Sequence, residues 1–166
     1  MHLGFQFSGS SRYLREVRMK FKEVPQIPIP RRRELIDSAN EARKLQNRAA
    51  RGASYGAAVL TLNDNIFSAG SFFSSTHSLS LHAEHAALVH CALHGEPLIK
   101  AIAIASDDPE TLATPCGLCR QLIFENARQS GLNVVVLTLR EREVSVESTI
   151  VELYPLPWPD RKPRNI

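Results

Sequence analysis

The spacing of apolar residues along the chain switches between the period of a helix and the period of a strand. Residues 34–51 place an apolar side chain at every third or fourth position, which predicts an amphipathic helix with one buried face. Residues 57–62 and 66–72 are apolar or β-prone, and they flank the turn-forming sequence Asn63-Asp64-Asn65. We therefore predict an antiparallel hairpin after the first helix.

The same alternation continues through the second half of the chain. Gly95 and Pro97 end one apolar helical segment, and Gly131 ends another. A chain in which strands and helices alternate is typical of an α/β fold in which helices cover a mixed sheet. The predicted helices cover residues 82–94 and 116–128, and the predicted strands cover residues 100–105, 132–139 and, at a sheet edge, 143–146.

Prolines and basic residues set the predicted domain limits. Three prolines and three consecutive arginines occur within residues 24–33. Because a proline lacks an amide donor and favours extended geometry before it, this segment is predicted to be a non-helical linker. Residues 1–33 are assigned to a basic N-terminal extension with this Pro-rich linker, residues 34–158 to one folded domain and residues 159–166 to a basic C-terminal tail; residues 12–22 are predicted to form a short basic helix, and Met19 is left open as an alternative start.

Charge is distributed unevenly along the chain, whose formal net charge is +3. Residues 1–33 and 159–166 hold 11 of the 20 Lys and Arg residues, whereas residues 34–158 carry 9 basic and 14 acidic side chains, a net charge of −5. A body of that sign repels phosphate backbones, which disfavours polymeric nucleic acid as the substrate. The basic tails could still hold single-stranded nucleic acid weakly, so this partner stays a less favoured alternative.

Cysteine content and hydropathy indicate a reducing location away from membranes. Of the three cysteines, Cys116 and Cys119 have a spacing that suits a metal better than a disulfide. Cys91 lies in an apolar helical segment and is predicted to be a small buried hydrophobe. No run of about 18 or more apolar residues occurs, and the N-terminus lacks the apolar run and cleavage site of a secretory signal. We expect a cytoplasmic protein without a membrane partner.

Two short motifs at predicted helix starts carry the candidate chemistry. His82, Cys116 and Cys119 offer one imidazole and two thiolates, which are ligand types that zinc takes, and three protein ligands leave a fourth tetrahedral position for water. Zinc lowers the pKa of such a water toward about 7. Glu84, two residues after His82, is the candidate catalytic residue that takes and returns protons. The sequence therefore predicts a Zn²⁺ cofactor in a catalytic site.

A structural zinc site is the alternative interpretation of the same ligands. A closed structural site requires a fourth protein ligand, and His77, His85 and Cys91 are the candidates. His85 is the strongest of these because it lies one helical turn after His82. The presence of Glu84 beside the ligands favours the catalytic site.

These motifs resemble the cytidine deaminase family, whose zinc enzymes share the order of His, Glu, Pro and paired Cys. The resemblance covers residues 34–158, which are identified as a cytidine deaminase-like catalytic domain. It rests on His82-Ala83-Glu84, on PCGLCRQ at residues 115–121, on Tyr55-Gly56-Ala57-Ala58, and on Glu152-Leu153-Tyr154-Pro155 followed by Trp158.

The resemblance implies a three-layer α/β/α fold with a mixed central sheet of about five strands covered by helices. It implies zinc-dependent hydrolytic deamination of a cytosine-type nucleoside to the uracil form with release of ammonia. The substrate would be cytidine, deoxycytidine or a modified cytosine nucleoside. By the same resemblance, the backbone at Ala83 and Thr114 contacts the pyrimidine edge, and Ala57 lies in the strand at the pocket floor. A homo-oligomer, either a dimer or a tetramer, is also expected.

Several predicted pocket positions depart from the family pattern. Counted back from His82, the family's ribose-binding Asn and Glu fall on Ser71 and Phe73, and its aromatic pocket residue falls near Ala53. Ser71 and Phe73 are therefore substrate-binding candidates with a different sugar preference. Phe73 either stacks on a base or an unusual substrate, or packs as a core phenylalanine. The alternatives for function are a deaminase of single-stranded nucleic acid or of a nucleotide, and a non-catalytic zinc-containing binding module.

Overall fold

The computed structural model describes residues 21, 23–47, 52–140 and 142–157. The basic tail predicted over 159–166, Met19 and, apart from Phe21, the helix predicted over 12–22 lie outside the described residues. The helices are α1 (Ile29–Ala42), α2 (Ala83–Leu93), α3 (Gly117–Ser130) and α4 (Ile150–Leu153), with 3₁₀ turns at Arg43–Leu45 and His77–Leu79. The strands are β1 (Tyr55–Thr61), β2 (Ile66–Gly70), β3 (Ile99–Ser106), β4 (Val135–Arg140) and β5 (Glu143–Thr149).

Helix α1 begins within the segment predicted to be a linker. The prediction that residues 24–33 form no helix is wrong from Ile29 onward, where α1 starts with Pro30 in its first turn. Backbone amides of a first turn have no partner inside the helix, so a proline there removes no hydrogen bond. The helix also ends earlier than predicted, at Ala42, and a 3₁₀ turn follows it.

The five strands form one mixed sheet in the order β2-β1-β3-β4-β5. Strand β1 is antiparallel to both β2 and β3, β3 is parallel to β4, and β4 is antiparallel to β5. The predicted hairpin is confirmed: Leu60 pairs with Ile66, and Asp64 in the turn takes the left-handed conformation with φ of 66°. Asp tolerates this conformation better than most residues, which explains its place in the turn.

Helices cover both faces of the sheet. Leu35 and Ala39 of α1 pack with alternate residues of the central strands on one face, and Ala87 of α2 and Ile123 of α3 belong to the core on the other. The burial of nearly every residue of β3 fits a strand covered on both sides. The predicted three-layer α/β arrangement with a mixed five-stranded sheet is confirmed.

The directions of the strands place two helix starts at one edge of the sheet. Because β1 is antiparallel to its two neighbours, β2 and β3 run in the same direction. Helix α2 follows β2, α3 follows β3, and both helices pack on the same face. The amino ends of α2 and α3 therefore meet at the edge formed by the carboxyl ends of β2 and β3.

The ends of the later elements differ from the predictions. Strand β4 begins three residues after the predicted start, because Leu132 forms an isolated bridge with Glu23 instead. Strand β5 continues to Thr149, and the short helix α4 was not predicted. A capping box starts α4, in which Glu152 accepts hydrogen bonds from the backbone amide and the hydroxyl of Thr149 at 2.8 and 2.9 Å.

Phe21 and Glu23 contact the domain although both lie in the predicted N-terminal extension. Phe21 belongs to the hydrophobic core and meets Phe124 edge-on, with ring centroids 5.8 Å apart. Glu23 accepts a hydrogen bond from the backbone amide of Asn133 at 2.9 Å through its own carbonyl. Among the described residues, no helix combines the length and the apolar character needed to span a bilayer.

Two glycines let α1 lie directly on the sheet. Gly56 of β1 pairs with Gly70 of β2. A Cβ atom on Gly56 would lie 2.4 Å from the carbonyl oxygen of Ala39, and one on Gly70 would lie 2.6 Å from the backbone nitrogen of Gln46. Because both clashes are with backbone atoms, neither can be relieved by rotating a side chain.

We predict that Gly56→Ala lowers the free energy of unfolding by about 1–3 kcal/mol, because the added methyl group forces α1 away from the sheet. Urea denaturation followed by circular dichroism measures this change. Gly117→Ala is the control, since a Cβ at Gly117 meets no atom within 4 Å. Its unfolding free energy should change by less than about 0.5 kcal/mol. Equal stabilities for the two variants would contradict the close packing of α1.

Candidate active site

The amino ends of α2 and α3 bring three metal-ligand side chains together. His82 is the N-cap residue of α2, Cys116 is the N-cap residue of α3, and Cys119 lies in the first turn of α3. The Nδ1 atom of His82 lies 3.3 Å from the Sγ atom of Cys116 and 3.5 Å from the Sγ atom of Cys119. All three ligand atoms lie within 4.8 Å of one another.

The spacing and chemistry of this cluster fit a tetrahedral zinc ion. With bonds of about 2.0–2.1 Å to nitrogen and about 2.3 Å to sulfur, tetrahedral zinc holds N and S ligand atoms about 3.6 Å apart. The two observed N to S distances are within a few tenths of an ångström of this value. Among the described residues, neither His77, His85 nor Cys91 joins the cluster, so it offers three ligands and leaves a fourth position open.

The electrostatic environment of Cys119 also calls for a cation. Burial raises the pKa of the Cys119 thiol well above its usual range, and the negative charges of Glu84 and Cys116 raise it further. A metal dication offsets these charges and binds the thiolate. The free amides at the start of α3 favour negative charge at the same place, since no side chain caps that helix.

Glu84 lies in the first turn of α2, next to the three ligands. Its side chain is buried, with 6% of the residue exposed, yet it lines a cavity of about 300 Å³ together with His82 and Cys116. A carboxylate in this position can exchange protons with a molecule in the cavity. Glu84, His82 and Cys116 therefore lie together at one cavity.

The cavity contains some of the predicted substrate-binding residues but not all of them. Ser71, Phe73 and Thr114 line it. Ala57 and Ala83 are fully buried, belong to the hydrophobic core and are not among the lining residues, so their contact with a substrate stays a prediction. The placement of Phe73 at the cavity favours a role in binding over a role as a core residue.

Sequence reasoning did not select three other lining residues as site residues: Tyr55, Ile104 and Ala113. A signal for Tyr55 was present, because it precedes Ala57 by two residues in β1 and alternate residues of a strand share one face. Ile104 lies in a strand buried on both faces, and Ala113 lies in the irregular segment before Cys116, so neither carried a comparable signal.

Arg120 connects the segment that contains Cys116 to helix α4. Its Nε atom donates to the carbonyl of Pro115 at 2.7 Å, and a guanidinium NH donates to the carbonyl of Leu153 at 3.1 Å. Pro115 precedes the ligand Cys116, and Leu153 is the last residue of α4. The guanidinium therefore connects the metal-ligand segment to α4 without itself joining the ligand cluster.

Comparison with known protein families identifies this arrangement. Residues 31–137 match the family described as "Cytidine and deoxycytidylate deaminase zinc-binding region". The chain belongs to this family. The matched residues include the three members of the cluster, His82, Cys116 and Cys119, and also Glu84.

Individual members of the cytidine deaminase family are similar to this chain at modest identity. A "Probable cytidine deaminase" of Dictyostelium discoideum is 33% identical over 90 residues, which are 54% of this chain and 61% of that protein. A "Cytidine deaminase" of Sporosarcina psychrophila is 32% identical over 100 residues, 60% of this chain and 71% of that protein. The solved cytidine deaminase of Burkholderia pseudomallei has a TM-score of 0.68 at 23% identity and covers 75% of this chain and 97% of its own, which confirms the predicted fold.

We predict that Cys116→Ser loses bound metal, with the content of the purified protein falling from about one ion per chain to nearly none, because the cluster loses a thiolate. Inductively coupled plasma mass spectrometry measures the content. Cys91→Ser is the matched control, since Cys91 is a buried cysteine outside the cluster. Full metal content in Cys116→Ser, or equal loss in both variants, would refute the ligand assignment.

Proposed function

We propose that this protein is a zinc-dependent enzyme that hydrolyses the exocyclic C–N bond of a cytosine-type nucleoside. Water and the nucleoside would give the uracil form and ammonia. The observation that carries the proposal is the position of the three-residue cluster and Glu84 beside a cavity of about 300 Å³, which is lined by His82, Glu84 and Cys116. That volume lies at the small end of the range for small-molecule sites, which suits a single nucleoside.

Zinc is the cofactor that the donor set favours. His82, Cys116 and Cys119 would hold it, since one imidazole and two thiolates match its preference and three ligands leave a coordination position open. When bound, zinc supplies a Lewis acid that makes a hydroxide nucleophile available near neutral pH.

Glu84 would move the protons of the reaction. Its carboxylate would take a proton from the attacking water and deliver it to the ring nitrogen next to the reacting carbon. It would then take the remaining proton of the added hydroxyl group and give it to the amine, which leaves as ammonia while the carbonyl of the uracil form appears. The burial of Glu84 excludes bulk water from these transfers.

The charge of the domain supports a small substrate. Residues 34–158 carry a net charge of −5, which repels the phosphates of a polymer. The homo-oligomeric state and the cytoplasmic location inferred from the sequence stay predictions. A panel of cytosine, cytidine, deoxycytidine, cytidine monophosphate, adenosine and guanine, scored for ammonia release, tests the proposal directly. Release of ammonia from cytosine nucleosides supports it, and release from the purines alone would contradict it.

We predict that Glu84→Gln lowers kcat by about 10²–10⁴-fold while metal content stays at one ion per chain, because the amide cannot accept and return protons. Ammonia release and metal analysis of the same preparation separate the two effects. Glu143→Gln is the control, since Glu143 is an exposed glutamate at the start of β5.

Full activity in Glu84→Gln would remove Glu84 from the mechanism. A matching loss in Glu143→Gln would point to an effect of charge in general. If Glu84→Gln left both metal content and the protein's biological effect unchanged, a non-catalytic binding module would be the better description.

A further inference from the structure

The cavity that Glu84 lines also has an aromatic wall. Tyr55 and Phe73 form this wall, with the buried hydroxyl side chain of Ser71 between them in sequence. In a cytosine nucleoside the reacting carbon C4 lies across the ring from N1, which carries the sugar. If C4 faces Glu84, the N1 substituent therefore points away from Glu84 and meets other residues that line the cavity, among which Tyr55 and Phe73 have the largest apolar side chains.

The wall offers little that could recognise a ribose diol. Among the described residues that line the cavity, Glu84 is the only carboxylate, and none is an amide or a long basic side chain. Apart from His82, Glu84 and Cys116, the polar side chains among these lining residues are the hydroxyls of Tyr55, Ser71 and Thr114. A site selects strongly for a substrate hydroxyl when it buries a partner that would otherwise be unpaired, whereas an apolar pocket distinguishes an added hydroxyl only weakly.

Two consecutive amide side chains fix the backbone of this wall. The backbone amide of Tyr55 donates to the Oε1 atom of Gln46 at 2.9 Å. The side chain of Asn47 binds Phe73 at two points: its Nδ2 atom donates to the carbonyl of Phe73 at 2.8 Å, and its Oδ1 atom accepts from the amide of Phe73 at 2.8 Å.

The contacts of Asn47 act on backbone outside the regular part of the sheet. Phe73 follows β2, and Asn47 binds both its amide and its carbonyl. Tyr55 is the first residue of β1 and pairs with Ser106 of β3, and Gln46 adds a further contact to its amide. The backbone amide of Ser71 donates to the carbonyl of Tyr55 at 3.1 Å, which connects the two sides of the wall.

We propose that Tyr55 and Phe73 determine the substrate specificity of this site, and that Gln46 and Asn47 are positioning residues that hold the two aromatic residues at the cavity. This inference rests on the proposed deaminase function. The preferred substrates are then cytosine nucleosides whose N1 substituent presents an apolar face. The ribose hydroxyls do not contribute to their recognition.

The first test compares cytidine with 2′,3′-dideoxycytidine on the zinc-loaded protein. We expect kcat/KM for the dideoxy compound to equal or exceed that for cytidine, or to fall below it by less than about tenfold. A preference for cytidine of about tenfold or more would overturn the inference while supporting the proposed function.

Binding separates failure of the inference from failure of the proposed function. If no cytosine compound is deaminated, the proposed function fails. Calorimetry with uridine and 2′,3′-dideoxyuridine then still tests the wall, because binding needs no turnover. Dissociation constants within about tenfold of each other support the inference, and tighter binding of uridine by more than that overturns it.

The second test is a double-mutant cycle for Asn47. Phe73→Leu should raise KM for 2′,3′-dideoxycytidine by about three- to tenfold with little change in kcat, because an aromatic contact is lost. Asn47→Leu should have a similar effect, and the double variant should be no worse than either single variant, since Asn47 acts through Phe73. Additive effects in the double variant would show that Asn47 does not act through Phe73.

Asn126→Leu is the matched structural control for Asn47→Leu. Asn126 also bridges backbone with both ends of its amide, accepting from Ile99 at 3.0 Å and donating to Pro97 at 2.5 Å, but it does not line the cavity. We expect Asn126→Leu to lower stability and leave KM within about twofold of the parent protein. An equal rise in KM for Asn126→Leu would mean that the effect of Asn47→Leu reflects lost stability alone.

Discussion

The common direction of β2 and β3 is the constraint on which the candidate active site depends. Because β1 is antiparallel to both strands, the helices that follow β2 and β3 on one face of the sheet must start at the same edge. His82 and Cys116 are 34 positions apart in the sequence, yet their ligand atoms lie 3.3 Å apart. The sheet therefore assembles the ligands, and the helix starts supply free amides that favour negative charge there. A change in strand order would separate the ligands even if every motif were kept.

Burial disfavours the thiolate form of Cys119 when no cation is bound beside it. Cys119 and Glu84 are both buried, and burial together with the negative charges of Glu84 and Cys116 raises the pKa of the Cys119 thiol. A bound dication reverses that balance, because it draws the thiolates and the imidazole into one shared interaction. The same burial limits the contact of the Glu84 side chain with bulk water. Arg120 also fixes the cysteine segment, because its guanidinium donates hydrogen bonds to the carbonyls of Pro115 and Leu153.

The sequence was most informative where one residue type has one physical reason to be present. His82, Glu84, Cys116 and Cys119 could be selected as candidates because zinc chemistry restricts both residue type and spacing, and the helix and strand periods located most elements. The start of α1 was missed because Pro30 was given the meaning it has inside a helix, although a first turn accepts it. Helix α4 had a recognisable signal in Thr149 and Glu152. The contact of Asn47 with Phe73 joins residues 26 positions apart, which no local pattern encodes.

The cavity is built from two separate parts of the fold, one of which depends on the packing of α1 on Gly56 and Gly70. The candidate metal ligands and Glu84 come from the starts of α2 and α3. The backbone of the aromatic wall is hydrogen-bonded by Gln46 and Asn47, which follow α1 closely in the sequence. Small substitutions in that short connection can shift the wall without disturbing His82, Glu84, Cys116 or Cys119. Substitutions at a few positions after α1 could therefore change which nucleoside fits the cavity, provided that Gly56 and Gly70 are kept so that α1 stays packed on the sheet.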